Sequence, residues 1–140
     1  MATNNVVAAL KRVPLFSQCS DRELREIAKD TREELFSAGQ DIVTEGSTGG
    51  PMFVILEGRA KVIIGGRTRR TFEPGAYFGE MALIDKGPRS ATIRAETQVK
   101  AVSITSWNFL SLLESNWKLA HKVLSGMAQR IRELDKAAGQ

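Results

Sequence analysis

Hydrophobic residues in the first part of the chain recur at helical spacing. A short apolar run is stopped by Pro14, and Ser20-Asp21-Arg22-Glu23 has the residue types of a capping box at a helix start. The apolar residues behind this box share one helical face: Leu24, Ile27 and Ala28. The pattern therefore predicts N-terminal helices within residues 1–35.

From Glu34 onward the pattern changes to short apolar and β-branched runs separated by turn residues. Clusters such as Gly65-Gly66 and Glu73-Pro74-Gly75 bound these runs. Six runs are predicted to be strands: 41–44, 52–56, 60–64, 68–72, 90–95 and 98–104. Many short strands at regular spacing are typical of an antiparallel sandwich or barrel, and we expect a β-barrel over residues 36–105.

The last part of the chain returns to helical spacing, and we predict C-terminal helices over residues 106–136. Their apolar residues alternate four and three positions apart, in a seam formed by Leu113, Trp117, Ala120, Leu124, Met127, Ile131 and Leu134. This seam fits a helix packed on the barrel, a homodimeric coiled coil, or a lid that moves over a ligand. Gly126 lies inside the helix and indicates close packing or a hinge.

Composition and charge narrow the class of protein. A chain of 140 residues with 42% hydrophobic and 26% charged positions can bury one hydrophobic core, so we expect a single domain over 1–140. The net charge is +4, but the sequence contains no run of Lys and Arg with interleaved aromatic residues. This argues against direct nucleic-acid binding. The lone Cys19 agrees with a reducing cytoplasm, and no segment is long and apolar enough to span a membrane. We therefore expect a cytoplasmic protein with no membrane partner.

The sequence contains no convincing set of catalytic or metal-binding residues. The one histidine, His121, is predicted on a C-terminal helix, and no cysteine pair or second histidine can build a metal centre around it. A Ser/His/Asp site fails similarly, because no nucleophile elbow accompanies His121. We expect neither enzyme activity nor a metal or other cofactor.

Residues 78–92, with the sequence FGEMALIDKGPRSAT, carry the most information about function. We call this segment the cassette. A short helix that begins at Gly79 would direct free backbone N–H groups at an anion, and Arg89 could add a guanidinium fork. Glu80 fits a ligand that carries hydroxyls beside its phosphate, so the segment predicts a nucleotide sugar-phosphate. The competing explanation is a plain Glu80–Arg89 ion pair, worth about 0–1 kcal/mol if exposed.

The cassette and its flanks resemble the cyclic nucleotide-binding domain family, which includes bacterial catabolite activator proteins, regulatory subunits of cyclic-AMP-dependent kinase and cyclic-nucleotide-gated channels. The similarity runs from about Leu15 to Leu134, with Phe16 in an opening like the family's LF..L and a hairpin like its EG…I..G at 45–58. The arrangement FGE-x-A-L…PR-[SA]-A-T matches over its full length. The resemblance implies an α+β fold in which an antiparallel, eight-stranded, jelly-roll-like β-barrel is flanked by N- and C-terminal helices.

The resemblance also implies contacts to the ligand. Arg89 would pair with an exocyclic oxygen of the cyclic phosphate, and Glu80 would accept from the ribose 2′-hydroxyl beside the Gly79 backbone. Other backbone N–H groups of the cassette would complete the anion site. The implied ligand-binding residues are Phe78, Gly79, Glu80, Met81, Ala82, Leu83, Arg89, Ser90 and Ala91. In the family a C-terminal apolar or aromatic group often closes over the base as a lid, and matching the helix phase to this pattern points to Ile131, Leu134 and Asp135.

Three positions bear on the ligand and on departures from the family. A threonine in place of Ser90 often accompanies cyclic GMP in the family, whereas alanine or serine more often accompanies cyclic AMP. We therefore expect cyclic AMP, with cyclic GMP as the alternative. Ser47 and Gly50 stand where many members have an acidic residue, and we expect this difference to alter a turn rather than abolish binding.

The sequence thus predicts a cyclic nucleotide sensor without catalytic activity, which signals through movement of its C-terminal helix to an effector protein that the sequence does not identify. Two alternatives remain open. One is a regulatory segment of a larger channel, transporter or kinase subunit, and the other is a dimerisation module that ignores nucleotides.

Overall fold

The computed structural model describes residues 2–79 and 87–139, and the chain forms two compact units. The helical unit combines Met1–Lys29 with Ser111–Gln140, and the strand unit is Asp30–Leu110.

Four helices are described. In the helical unit, α1 spans Ala2–Lys11 and α2 spans Asp21–Ala28, with a 3-10 turn at Pro14–Phe16 between them. Helix α3, Ser106–Ser115, runs from the strand unit into the helical unit, and α4 spans Trp117–Gly139. None of these described helices combines the length and the apolar character that a membrane crossing requires.

The predicted capping box at the start of α2 is confirmed. Ser20 Oγ accepts the backbone N–H of Glu23 at 3.2 Å, and Glu23 Oε1 accepts the backbone N–H of Ser20 at 2.8 Å. Leu24 and Ile27 on the next turn are both buried, as their shared face predicts.

Helix α4 packs against the 3-10 turn of the same unit, with Leu119 and Val123 buried. A Cβ at Gly126 would lie 2.6 Å from the carbonyl oxygen of Leu15 and 2.9 Å from that of Pro14. Because a side chain there would strike backbone atoms, Gly126 allows the helix and the turn to approach closely. Of the two roles predicted for this glycine, the structure supports close packing.

The predicted apolar seam lies on a different face of α4 from this buried stripe. Four of its members are between 52% and 71% exposed: Trp117, Leu124, Ile131 and Leu134. The other three members, Leu113, Ala120 and Met127, are half-buried, and Leu113 lies on α3 rather than α4. The three explanations for the seam, a helix packed on the barrel, a homodimeric coiled coil and a lid over a ligand, therefore stay predictions.

The described part of the strand unit contains eight strands in two antiparallel sheets. Their bounds are β1 Thr31–Phe36, β2 Asp41–Val43, β3 Met52–Glu57, β4 Ala60–Ile64, β5 Arg67–Phe72, β6 Tyr77–Phe78, β7 Thr92–Ala95 and β8 Val99–Ile104. One sheet has the order β1-β8-β3-β6 and the other has the order β2-β7-β4-β5. The α+β class, the antiparallel sheets and the flanking helices are confirmed. The expected β-barrel is not confirmed. A closed barrel requires every strand to be paired on both sides, whereas each of the two described sheets has two edge strands that are paired on one side only.

Strands β1 and β6 were missed by the sequence pattern. Strand β1 begins at Thr31, inside the segment assigned to N-terminal helices, and pairs with β8 from Thr31–Ile104 to Phe36–Val99. Its sequence TREELF is rich in charge and shows no apolar alternation, since only Phe36 is buried. Strand β6 has two residues, too few to show any periodicity.

The two sheets pack face to face over a shared apolar core. Its members come from both sheets and include Ala91, which lies just before β7: Phe36, Phe53, Ile55, Ala60, Val62, Phe78, Ala91, Ile93, Ala95, Val99 and Ala101. The Phe78 ring stacks on Phe53, with centroids 5.4 Å apart, and on Phe72, with centroids 5.7 Å apart. These contacts fix the end of β6, from which the cassette begins.

Candidate functional site

Arg89 is the only charged residue that is buried among those whose side chains the structure describes, with 7% of its surface exposed. It lies near the end of the cassette, three residues before β7. A buried guanidinium is unusual, because removing a charge from water is costly unless hydrogen bonds compensate.

The loop between β2 and β3 holds the backbone of this segment. Gly46 donates its N–H to the carbonyl oxygen of Arg89 at 2.9 Å, and Arg89 donates its own N–H to the carbonyl oxygen of Ser47 at 2.7 Å. An isolated antiparallel bridge joins Thr48 to Pro88. The last residues of the cassette are therefore paired with residues about forty positions earlier in the chain.

The side chain of Arg89 is only partly satisfied by the described protein. Its Nη2 donates to the carbonyl oxygen of Pro51 at 2.6 Å, whereas its buried Nη1 has no hydrogen-bond partner in residues 2–79 and 87–139. None of the ion pairs found in those residues includes Arg89. A buried, unpaired donor on a charged group costs about 1–3 kcal/mol or more, so an anion at Nη1 would be stabilising.

Burial lowers the pKa of Arg89 from its ordinary value, because the charged form is deprived of solvent. An arginine nevertheless stays protonated in proteins, so the site keeps its positive charge at neutral pH. The site thus offers a fixed cation with one free hydrogen-bonding nitrogen, which suits a phosphate oxygen.

Two glycines enclose the guanidinium of Arg89, and both have positive φ. At Gly50, with φ +92°, an added Cβ would lie 2.7 Å from Nη2. At Gly79, with φ +86°, an added Cβ would overlap Nη1 and would lie 3.0 Å from the carbonyl oxygen of Pro51. Larger residues at either position would compete with the guanidinium for space.

Several of the predicted site residues lie in the described part of the chain, and they differ from one another in burial. Phe78 and Ala91 are buried in the core of the strand unit, so their side chains support the site from inside. Ser90 is exposed next to the buried Arg89. Glu80, Met81, Ala82 and Leu83 lie outside the described residues, so their roles stay predictions. The proposed lid residues Ile131, Leu134 and Asp135 lie on α4 in the helical unit and are exposed, and their role as a lid also stays a prediction.

The contact with the carbonyl of Pro51 was not predicted from the sequence, and Gly50 was expected only to alter a turn. The run Gly49-Gly50-Pro51 indicates a turn and nothing about its partner. The hydrogen bond joins residues 38 positions apart, and backbone carbonyls carry no signature in a sequence. Only the pairing of the two loops reveals it. In the described chain no group of three or more His, Cys, Asp or Glu residues is placed to hold a metal ion.

Comparison with known proteins places these features in a family. A family model described as a cyclic nucleotide-binding domain matches residues 33–116, more than half of the chain. A cGMP-dependent protein kinase from Toxoplasma gondii is 43% identical over 95 residues, which cover 68% of this chain and 10% of the kinase. A cAMP-dependent protein kinase regulatory subunit from Emericella nidulans is 35% identical over 108 residues, which cover 76% of this chain and 26% of the subunit.

A solved structure is similar over almost the whole chain. The N-terminal domain of a transcriptional regulator from Streptomyces coelicolor A3(2) matches with a TM-score of 0.83 and 28% identity, covering 94% of this chain and 95% of that domain. The residues matched by the family model contain both sheets almost entirely and the segment that carries Arg89. These matches show that the chain belongs to the cyclic nucleotide-binding domain family.

Proposed function

We propose that this chain binds a cyclic nucleotide and holds its phosphate at Arg89. The observation that carries the proposal is the buried Nη1 of Arg89, which has no partner in the described residues. A cyclic phosphodiester bears one negative charge, which would both pair this nitrogen and neutralise the buried cation. The remaining contacts predicted for the cassette, above all Glu80 with the ribose hydroxyl, complete the proposal.

Cyclic AMP is the nucleotide that we propose, on the basis of Ser90. This serine is exposed beside Arg89 and stands where family members that bind cyclic GMP often have threonine. The names of the relatives do not favour either base, since one is called a cGMP-dependent kinase and another a cAMP-dependent kinase regulatory subunit. Cyclic GMP therefore remains the alternative ligand.

The chain acts, in our proposal, as a regulatory module that binds and releases its ligand unchanged. Domains of this family are regulatory, and one relative is named a kinase regulatory subunit. Phosphate capture would tighten the cassette, and α4 would respond by moving. A ligand can shift such an equilibrium only by the difference between its affinities for the two states.

The proposed sensor would act on an effector protein. The chain spans 10% of the Toxoplasma kinase and 26% of the Emericella subunit. A regulatory segment of a larger kinase subunit, channel or transporter is therefore one form that the proposed sensor could take.

A second candidate, dimerisation through the seam of α4, is favoured by one observation. Trp117, Leu124 and Ile131 are more than half exposed and lie one heptad apart. Dimerisation is compatible with nucleotide binding, so it competes with the sensor only if the chain dimerises and binds no nucleotide. Calorimetric titration with cyclic AMP and cyclic GMP separates these cases.

A further inference from the structure

We propose that Gly50 is a positioning residue for Arg89, and that the absence of a side chain at Gly50 keeps the guanidinium in the place where it meets the anion. This inference rests on the proposed function, because the affinity it affects is that for the cyclic nucleotide. Gly50 lies in the loop between β2 and β3, 39 residues before Arg89.

The space beside Gly50 is taken up by Arg89. The three heavy atoms nearest to an added Cβ are Nη2 at 2.7 Å, Cζ at 3.7 Å and Nε at 3.9 Å, all from this one guanidinium. Nη2 is also the atom that donates to the carbonyl oxygen of Pro51 at 2.6 Å. A methyl group at position 50 would therefore displace the atom through which the described protein holds the guanidinium.

The displacement would matter because Arg89 has little else to hold it. In the described residues the guanidinium makes one hydrogen bond, to Pro51, and no ion pair. A fork that binds phosphate through two parallel hydrogen bonds depends on its orientation, so a displaced guanidinium would lose part of this contact. Gly50 would thus act on the ligand through Arg89.

Other glycines separate this steric role from the effect of positive φ alone. Gly39 has φ +90° and Gly49 has φ +70°, and an added Cβ at either would have nothing within 4 Å. Gly39 matches Gly50 in φ, and Gly49 is the neighbour of Gly50 in the loop. Gly79 is unsuitable as a test, because a Cβ there would also approach the backbone of Pro51 and Met52.

The test compares Gly50→Ala with Gly39→Ala and Gly49→Ala by calorimetric titration with cyclic AMP. We expect Gly50→Ala to weaken binding by at least about tenfold and the two controls to change it by less than about twofold. In an Arg89→Lys background, which lacks the planar fork, Gly50→Ala should have little further effect, because the two positions act together. A purely structural defect would instead persist in that background.

A second readout requires no nucleotide. In protein carrying 15N-labelled arginine, the Nη protons of Arg89 should exchange slowly with solvent in the wild type and in both controls, and quickly in Gly50→Ala. If the wild type binds no cyclic nucleotide while this difference in exchange is present, the proposed function is wrong and the positioning contact stands. If Gly50→Ala matches its controls in both affinity and exchange, the positioning role is wrong.

Discussion

Lys122 of α4 donates from Nζ to Oε1 of Glu23 at 2.8 Å, and this is the same oxygen that accepts the backbone N–H of Ser20. One carboxylate thus closes the capping box of α2 and ties α4 to that helix. Burial acts to raise the pKa of Glu23, but the hydrogen bonds from Lys122 and Ser20 outweigh it and hold the pKa below the ordinary value.

The depressed pKa gives a pH dependence of stability with a definite sign. A carboxyl whose pKa is lower in the folded than in the unfolded chain stabilises the fold above its ordinary pKa of 4.5 and loses this effect as the pH falls. We therefore expect Glu23→Gln to reduce the free energy of unfolding at neutral pH, and the difference from wild type to shrink as the pH falls below 4.5. Urea unfolding of both proteins, from neutral pH to below pH 4.5, measures this difference in the free energy of unfolding.

Glu26→Gln is the control for this experiment, since Glu26 forms an exposed pair with Lys29 at 3.4 Å. Removing such a surface pair should change stability by less than about 1 kcal/mol. A Glu23→Gln effect that is constant from neutral to acid pH would contradict the assignment.

Gly126→Ala should destabilise the helical unit, although alanine is the better helix former. Helix propensity alone would favour alanine by about 1 kcal/mol. The added Cβ would meet the carbonyl oxygens of Leu15 and Pro14, which belong to backbone and cannot move away as a flexible side chain could. We expect a net loss in the urea midpoint, with Ser125→Ala on the same helix as the control. A stabilised Gly126→Ala variant would show that the helix and the turn are not closely packed.

Leu124→Glu tests whether the seam of α4 joins two copies of the chain. If the seam forms a coiled coil, a buried carboxylate there should dissociate the dimer, because an unpaired charge in an apolar interface is costly. Sedimentation velocity with and without cyclic AMP measures the mass. Gln129→Glu adds the same charge on an exposed position outside the seam and should leave the mass unchanged. A wild-type chain that sediments as a monomer at every concentration would exclude the coiled coil.

How much the sequence predicts depends on how local each feature is. The capping box from Ser20 to Glu23 was predicted correctly because its partners lie three residues apart. Strand β1 was missed because its charged sequence is stabilised by pairing with β8, about seventy residues later. The helix α4 was predicted correctly from its apolar spacing. Periodicity alone does not say which of two apolar stripes is buried, and the buried stripe is the one at Leu119 and Val123.

The candidate site also has local features that the sequence predicts and long-range contacts that it does not. The identity of Arg89 as the anion-binding residue is a prediction from sequence that the burial of its side chain supports. Its contact with Pro51 and its fit against Gly50 depend on two loops that meet only in the folded chain. No single-sequence pattern encodes such a contact.

Arg89→Ala should weaken cyclic nucleotide binding by about 3 kcal/mol, or roughly a hundredfold, because the phosphate would lose a charged hydrogen-bond partner in a buried site. The affinity of Arg89→Lys should lie between those of the wild type and Arg89→Ala, because lysine keeps the positive charge but lacks the planar guanidinium fork. Arg67→Ala removes the same charge from an exposed strand and should change affinity by less than about twofold. Equal affinities for wild type and Arg89→Ala would refute the role of this residue.

The central claim, that the chain senses a cyclic nucleotide, is tested most directly by calorimetric titration of the wild-type chain with cyclic AMP, cyclic GMP and 5′-AMP. We predict saturable binding of a cyclic nucleotide well below about 1 mM, with cyclic AMP the tighter of the two and 5′-AMP much weaker than either. If neither cyclic nucleotide binds below that concentration, the account of this chain as a sensor is wrong.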